Sequence, residues 1–185
     1  MYRREGRSPR EPGKMSDMRT GVLGTSLAIC VSLMGATPRW ITGIYRNPAL
    51  GFEVQIPHGL KGLTGDQDGP ERGVRIALPS SGQIVIFGEP NSAEWSKPAD
   101  GLRTILEHEA CASSKTELSP ARVGRLNGSK GILVCGQRVI EALLVFRPGG
   151  GPIYWLRLET VREHQSADAV VLANVAATFR LIRWE

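Results

Sequence analysis

Few residues in this chain have types suited to chemistry. Cys30, Cys111 and Cys135 are the cysteines. Cys30 lies in an N-terminal apolar run that reads as a removable leader. Its loss leaves Cys111 and Cys135 as a pair in an oxidising compartment, where a disulfide is expected. Closing a loop of that length stabilises a domain by about 3 kcal/mol in the chain-entropy model. His58, His108 and His164 lie in separate segments, and neither HxxxH nor CxxC spacing occurs. No metal or other cofactor is therefore expected. Glu107-His108-Glu109 has the composition of a general base beside a carboxylate. Neighbours on a helix point about 100° apart, so a solvated helix end explains the triplet better. Glu109 is the exception, because it falls on an apolar stripe and a carboxylate there needs a partner. Arg122, Arg138 and Arg157 are the candidates.

Two further patterns are weaker. Asp66-Gln67-Asp68-Gly69 with Glu71 lacks the ligand number and the distant glutamate of a calcium loop, and reads as a turn. Asn127-Gly128-Ser129 fits a glycosylation sequon, but the same residues suit a hairpin turn. GxSxG, SxxK and P-loop patterns are absent, which weighs against hydrolase and nucleotide-binding readings.

The element that must position these residues is Val139 to Val161. Two β-rich runs flank Arg147-Pro148-Gly149-Gly150-Gly151-Pro152, which reads as an antiparallel hairpin. The first arm is apolar almost throughout and belongs inside a sheet. In the second, Leu156, Leu158 and Thr160 alternate with Arg157 and Glu159. Trp40 to Pro48 reads as a lead-in. Phe52, Val54 and Ile56 mark a half-buried strand, and Pro57 to Gly73 a surface loop. Val74 to Leu78 and Ile84 to Phe87 form a hairpin around Pro79-Ser80-Ser81-Gly82. Asp100 is expected to cap a helix over 101–110, with Leu102, Ile105, Leu106 and Ala110 on one face. Glu117 to Val123 reads as a weak strand, turned at Asn127-Gly128 into a short strand over Gly131 to Cys135. Ser166 is expected to cap a last helix with a stripe of Ala167, Val170, Val171, Val175 and Thr178. Leu172, Ala169, Ala173 and Ala176 make its other side apolar too, which suggests a contact surface. Phe179 to Trp184 closes as a strand. Hairpins with two separated helices predict an antiparallel α+β sandwich.

The chain has 185 residues and a net charge of +5. Residues 1–36 hold six basic and three acidic side chains, leaving +2 for residues 37–185, the single expected domain. So small a mixed charge carries no nucleic-acid signature. Lys14 and Arg19 precede the apolar run from Val22 to Ala36, which matches a secretory signal peptide. The run is short for a membrane span, which needs about 20 apolar residues. Met15 and Met18 are alternative starts. Arg3-Arg4 is followed by Glu5-Gly6, which does not suit a twin-arginine signal. Leu27-Ala28-Ile29-Cys30 resembles a lipobox, but Ile29 is bulky and Cys30 lies within the apolar run.

Two segments look familiar. Asn47-Pro48-Ala49-Leu50-Gly51-Phe52 through Ile56-Pro57-His58-Gly59-Leu60 resembles the opening strand of the PsbP-like superfamily. The last helix leading into Ala177-Thr178-Phe179-Arg180 resembles that superfamily's ending. Members include exported lipoproteins, a photosystem accessory subunit and a Ran-binding protein. The resemblance implies an antiparallel sheet flanked by helices, an α/β/α-type sandwich, and a binding or accessory role instead of catalysis. It covers the two ends of the domain only. Leu60 stands where many members have tryptophan, and no functional residue is carried across.

The reading is an exported, periplasmic or secreted, non-enzymatic module that binds a protein or envelope component. It would touch the membrane only through an uncleaved leader. The rival is a small periplasmic hydrolase or metal-dependent enzyme. Cleavage is expected near Ala36, before Thr37-Pro38. Intact-mass analysis of protein from the envelope fraction should give a chain starting there. Retention of Val22 to Met34, or a lipidated Cys30 at the start, would contradict it.

Overall fold

The computed structural model describes residues 38–65, 73–109, 111 and 116–183. The expected leader, the Asp66–Gly69 loop with Glu71, Ala110 and Trp184 lie outside these residues. The strands are, in order, β1 (Arg39–Ile41), β2 (Ile44–Asn47), β3 (Phe52–Gln55), β4 (Gly62–Thr64), β5 (Gly73–Ala77) and β6 (Gln83–Pro90). After helix α1 (Pro98–His108) come β7 (Glu117–Val123), β8 (Leu126–Cys135), β9 (Arg138–Phe146) and β10 (Pro152–Val161). Helix α2 (Gln165–Thr178) and β11 (Arg180–Leu181) follow.

Eight strands form an antiparallel sheet in the order β1-β4-β5-β6-β10-β9-β8-β7. The hairpin of β9 and β10 lies inside it, and Val139 to Val145 are buried throughout. The two-residue period then sends side chains to two separate cores. Ile140, Ala142 and Leu144 join Ile153 and Trp155 on one face, under Leu102 and Leu106 of α1. Leu143 and Val145 join Tyr154, Leu156 and Leu158 on the other, against Leu172 and Val175 of α2. The helices thus cover opposite faces of the sheet. Phe52 and Val54 belong to the α2-side core. Their strand is the middle of a second sheet, in the order β11-β3-β2. The lead-in at Trp40 to Pro48 therefore forms strands β1 and β2, and the surface loop contains β4.

Three local expectations are corrected. The turn between β7 and β8 falls at Gly124 and Arg125, where Val123 pairs with Leu126 and Gly124 has φ +56°. Asn127 and Gly128 lie within β8, with Gly128 opposite Val145. A Cβ at Gly128 would lie 2.2 Å from the Leu144 carbonyl oxygen, so this glycine serves a close strand approach. Strand β8 is accordingly longer than the expected Gly131–Cys135 run.

Helix α1 opens at Pro98, not after a capping Asp100. Proline at the first position supplies a fixed φ where no N–H bond is needed. Asp100 sits in the first turn, Lys97 holds the N-cap position, and the helix ends at His108.

Helix α2 is turned relative to the expected stripe. Asp168, Leu172, Val175 and Ala176 are its buried residues, while Val170 is 60% exposed. Asp168 faces inward because two hydroxyls meet it. Ser80 Oγ donates to Asp168 Oδ2 at 2.8 Å and Thr160 Oγ1 to the same oxygen at 2.5 Å. Such bonds offset the desolvation of a buried carboxylate. His164, not Ser166, occupies the N-cap position, and without a side-chain cap.

Candidate functional site

At one end of the large sheet the β9–β10 turn meets the loop that follows β6. Gly149, Gly150 and Gly151 have φ of +82°, +92° and +109°, which side chains rarely adopt. The opposite loop is braced by Asn91. Its Nδ2 donates to the Trp95 carbonyl at 2.9 Å, and its Oδ1 accepts the Trp95 N–H at 3.1 Å. Glu94 is held there at φ +53°, a conformation that costs a non-glycine residue free energy. Between the two loops lies an open groove of about 780 Å³, with Leu50, Trp95, Phe146 and Ile153 among its lining residues.

Arg147 and Tyr154 fix the groove to the small sheet. Arg147 Nη1 donates to the Gly51 carbonyl and to Tyr154 Oη, each at 3.2 Å, and Nη2 to the Ile182 carbonyl at 3.2 Å. Tyr154 Oη donates to the Leu50 carbonyl at 2.9 Å. Burial pushes the Tyr154 hydroxyl above its ordinary pKa, with Arg147 acting in the opposite sense. The hydroxyl therefore stays protonated and keeps its donor role.

A second constellation lies on the α1 side. Cys111 and Cys135 form a disulfide with Cα atoms 5.5 Å apart, joining the segment after α1 to the end of β8. Glu109 stands just beyond the last helical residue, at the C-cap position, and its side chain is 17% exposed. It does not sit within the apolar stripe, since the helix stops one residue earlier. It meets two of the three candidate arginines. Arg157 Nη1 is 2.6 Å from Glu109 Oε1, and Arg138 Nη2 is 3.5 Å from Oε2. Both arginines also meet Glu159 Oε1, Arg157 at 2.5 Å and Arg138 at 3.3 Å. Gln83 Nε2 donates to Glu159 Oε2 at 3.2 Å. Burial acts to raise the Glu159 carboxyl, but the Arg157 charge, the Gln83 bond and Arg138 outweigh it and hold the group below its ordinary value. Arg122, the third candidate, lies on β7 opposite Asn127.

The remaining candidates stay apart in the chain's architecture. His58 follows β3, His108 closes α1 with Nδ1 2.6 Å from the Thr104 carbonyl oxygen, and His164 precedes α2. Among the described residues no group of three or more His, Cys, Asp or Glu side chains is placed to hold a metal. No helix among them is long and apolar enough to cross a membrane. The groove was missed by sequence reasoning because its parts lie far apart in the chain. The Pro/Gly cluster was its one visible signal.

The geometry yields two expected outcomes. Glu109→Ala leaves Arg157 and Arg138 with one carboxylate between them. The site is half-buried, so the cost should be about 2 kcal/mol, below that of a fully buried pair. Urea unfolding should show a lower midpoint at unchanged slope, and a midpoint within error of wild type would contradict the tether. Glu159 has a depressed folded pKa. Its stabilisation is therefore complete above the ordinary carboxylate range and is lost as pH falls through the folded value. The stability gap between wild type and Glu159→Gln should narrow on acidification through that range. A gap independent of pH would contradict it.

No family model matches the chain, and no curated protein matches it significantly. Solved structures do resemble it. The solution structure of cyanobacterial PsbP from Synechocystis sp. PCC 6803 superposes with a TM-score of 0.53 at 12% identity, over 84% of this chain and 98% of that one. A Bacteroides thetaiotaomicron protein gives a TM-score of 0.45 at 15% identity, over 77% of this chain and 49% of that one. With its antiparallel sheet flanked by two helices, this chain has the PsbP-like fold.

Proposed function

We propose that this chain is a non-enzymatic binding or accessory module that works outside the cytoplasm and engages a protein or other envelope component. The observation that carries the reading is the sheet-end groove. Its volume of about 780 Å³ is in the range of ligand and partner sites, and its lining combines Trp95 and Phe146 with bare glycine backbone. The Asn91–Trp95 brace on one wall and the Arg147 anchor on the other lower the ordering cost of binding. The Cys111–Cys135 disulfide supports a location where thiols are oxidised. The outer side of α2, expected from the sequence as the contact surface, offers Val170 among small residues and no aromatic anchor.

The test is a photo-crosslinking residue placed at Ser92 on the groove rim, in the full chain in its native envelope. The same residue at Val170 and at Glu163 serves as comparison. A discrete product from Ser92 alone, lost when Phe146→Asp is added to a protein that still folds, is the expected outcome. Product from Val170 alone would move the contact to α2. No product from Ser92, or equal product from Glu163, would overturn the reading.

A further inference from the structure

Between Val139 and Phe146, strand β9 carries a single charged side chain, Glu141. The two-residue period places it with Leu143 and Val145 on the α2 face of the sheet. The Glu141 side chain is 8% exposed. Its carboxylate accepts no hydrogen bond among the described residues, yet neither oxygen is sealed from water. The oxygens therefore open into the pocket that Glu141 lines, a space of about 340 Å³ between α2 and strands β7 to β9. Leu143, Leu172, Ala173 and Ala176 give that pocket an apolar wall. The ionic partner of Glu141 is Lys130, whose Nζ stands 3.6 Å from Oε1. That distance is an ion pair without a hydrogen bond, and the Lys130 side chain is 36% exposed. Arg122 also lines the pocket, but at its far end. Its neighbour Asn127 and the Glu141 neighbour Ile132 stand about 17 Å apart along β8.

We propose that this pocket binds a primary ammonium group carried on a short, uncharged aliphatic chain, with Glu141 as its carboxylate partner. A carboxylate kept this far from water is costly unless donors meet its oxygens. Lys130 compensates the charge without supplying a hydrogen bond, and its position shows that an ammonium can approach. A ligand ammonium brings three donors, enough for both oxygens. Lys130 yields to it by swinging into solvent on its flexible stem. The aliphatic chain then lies against Leu143, Leu172, Ala173 and Ala176. Charge selects the ligand. An anion would face Glu141 in a poorly solvated site, and an alcohol offers one uncharged and weaker donor. The pocket shares no lining residue with the sheet-end groove and stands whether or not the groove binds a partner.

The experiment uses the isotope-labelled full chain at neutral pH, with hexylammonium, hexanol and hexanoate as probes. Methyl shifts of Leu143, Leu172, Ala173 and Ala176 report occupancy. Hexylammonium should bind about tenfold tighter than hexanol, the difference between a charge-assisted and a neutral hydrogen bond, and hexanoate weakest. Glu141→Gln should bring hexylammonium and hexanol to equal affinity. Lys130→Met removes the internal competitor and should tighten hexylammonium. If Glu141→Gln fails to fold, the wild-type ranking and Lys130→Met decide. Nα-acetyl-lysine methylamide binding as tightly as hexylammonium supports the site with a protein lysine as the source, and weaker binding supports it with a free amine. Equal wild-type affinities for hexylammonium and hexanol, or a hexylammonium affinity unchanged by Lys130→Met, would overturn the ammonium role. Absence of shifts at these residues up to probe solubility would overturn the site.

Discussion

The burial of β9 and β10 on both faces is the constraint on which the rest depends. A strand with two covered faces needs two separate partners, and the alternation of side chains assigns them. Ile140, Ala142, Leu144 and Trp155 demand α1, whereas Val145, Tyr154, Leu156 and Leu158 demand α2 and β3. Neither helix reaches the other core. Each buried large side chain contributes about 2 kcal/mol, so a polar residue on either arm is costly unless paired. Glu141 is the buried carboxylate on β9, with Lys130 Nζ at 3.6 Å.

The functional geometry follows from how these cores are closed at their margins. On the α2 side, Phe52, Tyr154 and Phe179 form an aromatic group with ring centroids 5.2–5.5 Å apart, holding the small sheet against the large one. Arg147 extends that junction to the groove by binding carbonyls from two different segments. On the α1 side, apolar packing stops at Leu106, and ionic and covalent links take over through Glu109 and Cys111. Arg157 stands where this change takes place, beside Leu106 and in contact with Glu109 and Glu159.

The main architecture was legible because its signals are local and repetitive. The Pro/Gly cluster after Phe146, the apolar run of β9 and the alternation of β10 each fix one element. The Cys111–Cys135 pair follows from the cysteine count once Cys30 is assigned to a removable leader. Errors arose where a tertiary contact overrode a local preference. Asn127-Gly128 has good turn chemistry, but the approach of Leu144 places it within a strand. Asp168 lies in the first turn of α2, where a carboxylate suits the helix dipole, yet Ser80, 88 positions earlier in the chain, turns it inward. Glu109 meets Arg157 and Arg138, but α1 ends at His108, so Glu109 stands beyond the helix and not on its apolar stripe. The second sheet was invisible because β3, beside β2, pairs on its other edge with β11 from the opposite end of the domain.

That last pairing has a consequence for the order of events during synthesis. The Gln55 N–H bonds Thr178 Oγ1 across 123 positions, and the Ile182 N–H bonds the Gly51 carbonyl at 2.9 Å. A nascent chain emerging N-terminus first displays β2 and β3 with one edge open and Phe52 without Phe179. The central hairpin can form by local closure, but the small sheet waits for a contact of high loop-closure cost. Its completion belongs after synthesis of α2 and β11, later than closure of the central hairpin.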